Sequence, residues 1–168
     1  MKQLIINVGP SGCGKTTWTT GFISKNPDFA RINRDDIRKT LFGEINPGYY
    51  KSYHLPMRES LVSKMEDMMF SNLRDPRARF NGVIDNTNLQ KSYLEKWIKL
   101  CDEYDIDFKI KIFDPQNAFI LKDRVKKRDN IPSTEFSRTD YIDKQLKQYE
   151  DIVKFINATY KDKLFKDE

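Results

Sequence analysis

The chain has 168 residues, 38% hydrophobic and 12% aromatic, which is enough to bury a core and too apolar for a disordered segment. Its 30 basic and 25 acidic residues leave a net charge of +5, which suits a polyanionic partner without requiring one. Two cysteines, Cys13 and Cys101, and a single histidine, His54, exclude a disulfide framework and a Cys/His zinc site. No apolar run reaches the length of a membrane span, and no signal-peptide pattern precedes the first strand, so a reducing, cytoplasmic setting is expected.

Leu4-Ile5-Ile6-Asn7-Val8 is a short, β-branched apolar run and reads as a buried strand. Gly9-Pro10-Ser11-Gly12-Cys13-Gly14-Lys15-Thr16-Thr17 follows at once and fits G-x-x-x-x-G-K-[ST] at every required position. Thr16 to Lys25 then reads as a helix, with Trp18, Phe22 and Ile23 at helical spacing. Strand, glycine turn and helix is the arrangement that cradles phosphate, because backbone N–H groups and a helix N-terminus converge on the anion. Gly9, Gly12 and Gly14 allow the close approach. Lys15 is expected at the β- and γ-phosphates and the Thr16 hydroxyl at Mg²⁺, with Ser11, Cys13 and Thr17 completing the ATP-binding stretch. Cys13 fills a position that takes a small residue, and no chemistry is assigned to it.

Phe29 to Asn33 reads as a second strand, and Arg34 to Phe42 as a helix closed by Gly43. Asn46-Pro47-Gly48 marks a loop. Lys51 to Leu73 reads as a helix that Pro56 either bends or begins, with Met65, Met68 and Met69 as core filler. Gly82 to Asp85 has the pattern of a buried strand ending in a carboxylate, and Asn86-Thr87-Asn88 reads as turn and helix cap before an amphipathic helix over Gln90 to Tyr104. Ile106, Phe108, Ile110 and Ile112 alternate with Asp107, Lys109 and Lys111, which predicts a strand with one wet face near a sheet edge. Pro115 is placed to open the next helix, which breaks at Asp129-Asn130-Ile131-Pro132. A long helix is expected from about Thr139 to Asn157, packed on the sheet, and the charged tail after Tyr160 is expected to fray.

Strands alternate with helices throughout residues 1–168, which predicts one α/β domain, a parallel sheet of four to five strands with helices on both faces. Ligands in such sheets sit at the carboxyl ends of the strands, so the residues just after a strand carry the candidates. Asp35 and Arg38 follow the second strand and share a helix face, a carboxylate able to take a proton from an attacking hydroxyl beside a guanidinium able to grip an anion. Asp36 is a cap or first-turn acid. Asp85 ends a strand, where it holds Mg²⁺ through water, orients the acceptor or caps the following helix. Arg124 and Arg128 share a face of a basic helix that is placed to close over a triphosphate, and Arg74, Arg77 and Arg79 form a second basic group, read as solvated surface or nucleic-acid rim.

These residues resemble the 5′-kinase domain of the bacteriophage polynucleotide kinase–phosphatase family. The likeness rests on Gly9 to Thr17, on Ile32-Asn33-Arg34-Asp35-Asp36-Ile37-Arg38, on Asp85-Asn86-Thr87-Asn88-Leu89, on Phe113-Asp114 and on the Arg124/Arg128 pair. The resemblance implies a P-loop kinase fold and ATP- and Mg²⁺-dependent phosphorylation of a 5′-hydroxyl end of DNA or RNA. It implies Lys15, Asp35 and Arg128 as catalytic residues, with Asp35 the general base and Arg128 the lid arginine on the donor phosphates. It places Arg38 on the acceptor's 3′-side phosphate, with Asp85, Thr87 and Asn88 on the acceptor side. The family's D-x-D-G-T phosphatase motif does not occur in the sequence, so the chain is expected to be kinase-only. In that family the acidic residue adjoins the Thr-Asn pair, where this chain has Asn86. A nucleoside monophosphate or other small-molecule kinase on the same fold is the alternative, and a nucleotide-binding regulatory module without transfer chemistry is a third reading.

Overall fold

The computed structural model describes residues 2–43, 45, 47–75, 77, 80–131 and 139–166. Four strands, β1 (Gln3–Val8), β2 (Phe29–Ile32), β3 (Asn81–Ile84) and β4 (Asp107–Ile112), form one sheet in the order β2-β3-β1-β4. Every pair is parallel, with Ile5 opposite Val83 and Lys109, and Ile32 opposite Ile84. The parallel α/β sheet expected from the sequence is therefore present. All four carboxyl ends lie along one edge, so the segments beginning at Gly9, Asn33, Asp85 and Phe113 meet there.

The connecting helices are α1 (Lys15–Lys25), α2 (Arg34–Phe42), α3 (Pro47–Lys51), α4 (Leu55–Arg74), α5 (Lys91–Glu103), α6 (Ala118–Arg128) and α7 (Tyr141–Thr159). Side chains alternate across β1 and split the core in two. Leu4, Ile6 and Val8 pack with Phe70 and Leu73 of α4, Trp97 of α5 and Ile152 of α7. Ile5, on the other face, packs with Phe29 and Val83 against Trp18, Phe22 and Ile23 of α1. A third cluster joins Leu121 and Val125 of α6 to Ile142 and Leu146 of α7 and touches Cys13 in the glycine loop.

Several sequence expectations are corrected. Pro56 stands in the first turn of α4, so it begins the helix and does not bend it. Met68 is 60% exposed, because the buried stripe of α4 runs through Val62, Phe70 and Leu73, whereas Met69 packs against the core as expected. Asn117 caps α6, its side chain accepting from Ile120 N–H at 3.0 Å, so Pro115 precedes the helix and does not open it. The cap of α5 is Gln90, not the Asn86-Thr87-Asn88 turn. Lys111, expected on a wet face, is buried with its ammonium 4.7 Å from the Trp18 ring centre and 5.3 Å from that of Phe165. The tail docks: Leu164 bridges Ile110, and Phe165 N–H donates to the Ile110 carbonyl at 2.9 Å. Pro132 and Arg79 lie outside the described residues.

Candidate active site

The glycine loop leaves β1 at its carboxyl end and enters α1. Gly14 takes the N-cap position of α1 at φ +98°, where a Cβ would meet nothing within 4 Å, so the backbone conformation alone calls for glycine. Gly12 has φ +82° and also lacks room, since a Cβ would stand 3.0 Å from the Leu121 carbonyl oxygen. The loop is anchored from three directions. Gly9 N–H donates to the Thr87 carbonyl at 3.0 Å, Ser11 N–H to Gln145 Oε1 at 2.8 Å, and Arg124 Nη1 to the Gly12 carbonyl at 3.2 Å.

Lys15 is buried and curls back over the loop, its Nζ donating to the Gly9 carbonyl at 2.8 Å and the Pro10 carbonyl at 2.7 Å. Burial lowers its pKa, Cys13 and Asp85 pull in the opposite direction, and the charge of Arg128 reinforces the lowering. Thr16 and Thr17 are exposed on the first turn of α1. Asp85 is buried at the end of β3 with both oxygens engaged, Oδ1 by Asn7 Nδ2 at 3.2 Å and Oδ2 by Arg31 Nε at 2.7 Å. It does not cap α5. Thr87 and Asn88, expected at the acceptor, also brace the loop, the Thr87 carbonyl accepting from Gly9 N–H and Asn88 Nδ2 donating to the Asn7 carbonyl at 2.8 Å.

The neighbouring strand presents a charged constellation. Asn33 caps α2 by accepting from Asp36 N–H at 2.9 Å, and its own amide donates to the Asp85 carbonyl. Asp36 is the first-turn acid and pairs with Arg31. Asp35 is exposed one residue earlier, with Arg38 Nη1 2.7 Å from its Oδ1. The remaining edge of Arg38 grips Glu59 of α4, Nε to Oε1 and Nη2 to Oε2, both at 2.8 Å. Glu59 also accepts from the Tyr49 hydroxyl at 2.7 Å and from Arg34 Nη2 at 3.0 Å. The hydrogen bonds from Arg38 hold its carboxyl down to about 2, against the opposing effect of burial. Burial and the bond to Glu59 push the Tyr49 phenol up to about 12.

Glu59, Ser63 and Glu66 share one face of α4. Glu66 is fully buried and accepts from Arg34 Nη1 at 3.1 Å and Asn86 Nδ2 at 3.0 Å, with Lys96 Nζ at 3.4 Å. Neither helix carboxylate stands out in the sequence. The one signal that singles them out is a polar i, i+4, i+7 stripe along α4, and other polar residues of the helix obscure it.

On the third side stand α6 and α7. Arg128 pairs with Asp129 at 2.6 and 2.9 Å. Burial raises the Tyr141 phenol, Arg128 and the Ser11 side chain lower it, and Asp129 and Asp35 raise it further. Arg128 thus lies within electrostatic reach of Tyr141, Asp35 and Lys15, which brings the lid helix, the α2 carboxylate and the glycine loop to the same carboxyl edge of the sheet. The other basic group lies elsewhere, with Arg74 donating to the Tyr104 hydroxyl at 2.7 Å and Arg77 paired with Asp75. Among the described residues no group of three or more His, Cys, Asp or Glu is arranged to hold a metal ion. No helix among them is long and apolar enough to cross a membrane.

A family model described as an AAA domain matches residues 4–154. A protein of Autographa californica nuclear polyhedrosis virus, assigned as a bifunctional polynucleotide kinase/RNA ligase, is 28% identical over 137 residues, covering 78% of this chain and 19% of its own length. Two structures of the Pnkp1/Rnl/Hen1 assembly, the second described as an RNA repair complex, are similar. The RNA repair complex superposes with TM-score 0.67 at 28% identity over 90% of this chain and 46% of that one, the other with TM-score 0.57 at 31% identity over 73% and 38%. A fungal RNA kinase shares the fold, with TM-score 0.52 at 17% identity over 88% of this chain and 33% of its own. The chain therefore spans less than half the length of each of these relatives.

Proposed function

The chain belongs to the AAA-domain family, and within that family we propose that it is an ATP-dependent kinase transferring the γ-phosphate to the 5′-hydroxyl end of DNA or RNA. One observation carries this reading: the phosphate loop after β1 and the Asp35/Arg38 pair after β2 lie at the same carboxyl edge of the sheet, with Arg128 in electrostatic reach of both Lys15 and Asp35. Its relatives named as a polynucleotide kinase/RNA ligase and as part of an RNA repair complex support it. Residues 1–168 act in this reading as one kinase domain.

The donor phosphates lie on the N–H groups of the loop from Gly12 to Thr17. Lys15 is pre-positioned there, and its Nζ trades the Gly9 and Pro10 carbonyls for phosphate oxygens. The Thr16 hydroxyl, exposed where α1 begins, is the group that would hold Mg²⁺, which neutralises phosphate charge when bound. Asp85, both oxygens spent, acts behind it by fixing Asn7 and Arg31. Asp35 takes the proton of the attacking 5′-hydroxyl, and its exposure leaves it free to reach that hydroxyl. Arg38 Nη1 binds the phosphate on the 3′ side of the terminal nucleotide while Glu59 holds its other edge. Arg124 and Arg128 cover the transferring phosphoryl group from α6.

The test is a transfer assay with γ-labelled ATP, Mg²⁺ and three acceptors: a 5′-hydroxyl oligonucleotide, a 3′-phosphorylated nucleoside and a nucleoside monophosphate. Label on the first two and not the third is expected. Label on the nucleoside monophosphate alone would overturn the proposal in favour of a small-molecule kinase, and label on none would leave a nucleotide-binding module.

A further inference from the structure

The acceptor side of the cleft continues into an aromatic surface that the transfer chemistry does not use. Tyr49 and Tyr50 end α3 with their rings in edge contact, centroids 5.1 Å apart. Their surroundings differ. Tyr49 is buried, bonded to Glu59 and covered by the Arg58 guanidinium 5.5 Å from its ring, so it holds the helix in place. Tyr50 is 51% exposed and lies within the electrostatic reach of Arg38, Asp35 and Glu59. Three residues on, Tyr53 is 93% exposed and edge-packed on His54 at 5.6 Å, and Met57 follows on the first turn of α4. Folding gains little from an exposed tyrosine, a histidine and a methionine placed side by side in the turn that joins two helices.

The charge around this surface is favourable to an anion. Lys51 is exposed at the end of α3. The nearby carboxylate, Glu59, is balanced by Arg34 and Arg38. A strand whose first internucleotide phosphate sits at Arg38 has Tyr50 beside that phosphate, through Tyr49 and Glu59, and Tyr53 three residues further along the chain.

We propose that Tyr50, Tyr53, His54 and Met57 form a track on which the second and following unpaired nucleotides of the acceptor strand stack. The occupant is a single strand because its base faces are open, whereas a duplex presents only phosphates and groove edges to such a surface. Stacking on aromatic rings is indifferent to base identity, so the track confers preference for length and strandedness, not for sequence. This inference rests on the 5′-kinase reading and names the form of its substrate.

Two measurements test it on the full chain. The first is equilibrium binding of a ten-nucleotide single strand carrying a 3′ fluorophore, without ATP. Tyr53→Ala is expected to weaken binding by about tenfold, Tyr53→Phe to leave it within about twofold, and a blunt duplex to bind the wild-type chain no better than Tyr53→Ala binds the single strand. The second is transfer to 5′-hydroxyl acceptors of two to ten nucleotides. The wild-type KM is expected to fall as length grows, and Tyr53→Ala to flatten that fall. Tight binding by a wild-type chain that transfers nothing would sink the kinase reading and leave the track standing. Efficient transfer with unchanged binding and an unchanged length profile in Tyr53→Ala would sink the track and leave the kinase reading standing. A change in self-association in Tyr53→Ala without a change in strand binding would assign the face to a protein contact and overturn the proposal.

Discussion

Glu59 is where the acceptor half of the site can be tested most directly. Glu59→Gln keeps the shape of the side chain, removes its charge, and leaves one acceptor oxygen where four donors now converge: Arg38 Nε and Nη2, Arg34 Nη2 and Tyr49 Oη. The carboxyl is held down to about 2 from an ordinary 4.5, a depression that corresponds to ~3 kcal/mol. Glu59 is 28% exposed, so solvent screening brings the expected loss to about 2 kcal/mol. Because the folded-state value is depressed, this stability is fully present above pH 4.5 and is lost as pH falls toward about 2. Urea denaturation should therefore show a gap of about 2 kcal/mol between wild type and variant at pH 7, narrowing by pH 3. In transfer assays the variant should raise KM for the oligonucleotide by about tenfold and leave KM for ATP within about twofold, since Arg38 loses its clamp while the glycine loop is untouched. Equal stability at pH 7, a gap that does not narrow in acid, or a matching rise in KM for ATP would refute the clamp.

Three further outcomes are expected. Asp35→Ala should abolish transfer while ATP binding, read by fluorescent-nucleotide displacement, stays near wild type; weak ATP binding would mean that Asp35 serves the donor side. Arg31→Met strips the charge partner from Asp85, which is 1% exposed, and should cost about 3 kcal/mol in urea denaturation, with much of that recovered by adding Asp85→Asn. A loss under about 1 kcal/mol would show that Asn7 alone suffices. Phe165→Ala removes a ring 5.5 Å from Trp18 and 6.0 Å from Phe22 and should cost about 2 kcal/mol; no change would mean that the docked tail adds nothing to the α1 face.

What is legible in the sequence follows from how far apart the interacting groups lie. The glycine loop is readable because backbone amides converge on one anion only if they are consecutive, so the whole donor half is a contiguous string. The helix over Arg34–Phe42 is readable to its ends because glycine marks its stop, and the apolar spacing of Lys91–Glu103 marks its buried face. Glu59 and Glu66 are not, because a carboxylate on a helix ordinarily faces water, and their partner Arg34 lies 25 and 32 residues away. Lys111 is misread for the complementary reason: alternation puts it on a wet face, and the rings of Trp18, Phe113 and the docked Phe165, distant in sequence or beyond the strand, cover it.

That contrast bears on how such a site can change. The donor half depends on the backbone of residues 9–17, where the conformations of Gly12 and Gly14 and the packing of Gly12 against Leu121 leave little room for substitution. The acceptor half is a charge constellation assembled across α2 and α4, with Arg38 held between Asp35 and Glu59 and steadied by Tyr49 from α3. Residues from Tyr49 to Glu59, in α3 and the first turns of α4, can therefore vary without touching the loop, and each change re-aims Arg38 or alters the surface beyond it. Acceptor preference is expected to follow the Tyr49–Glu59 stretch while nucleotide use stays fixed. A chain carrying only substitutions there and showing altered KM for ATP would break this separation, because it would require the two halves to share a support that the hydrogen bonds from Arg38 and Lys15 do not show.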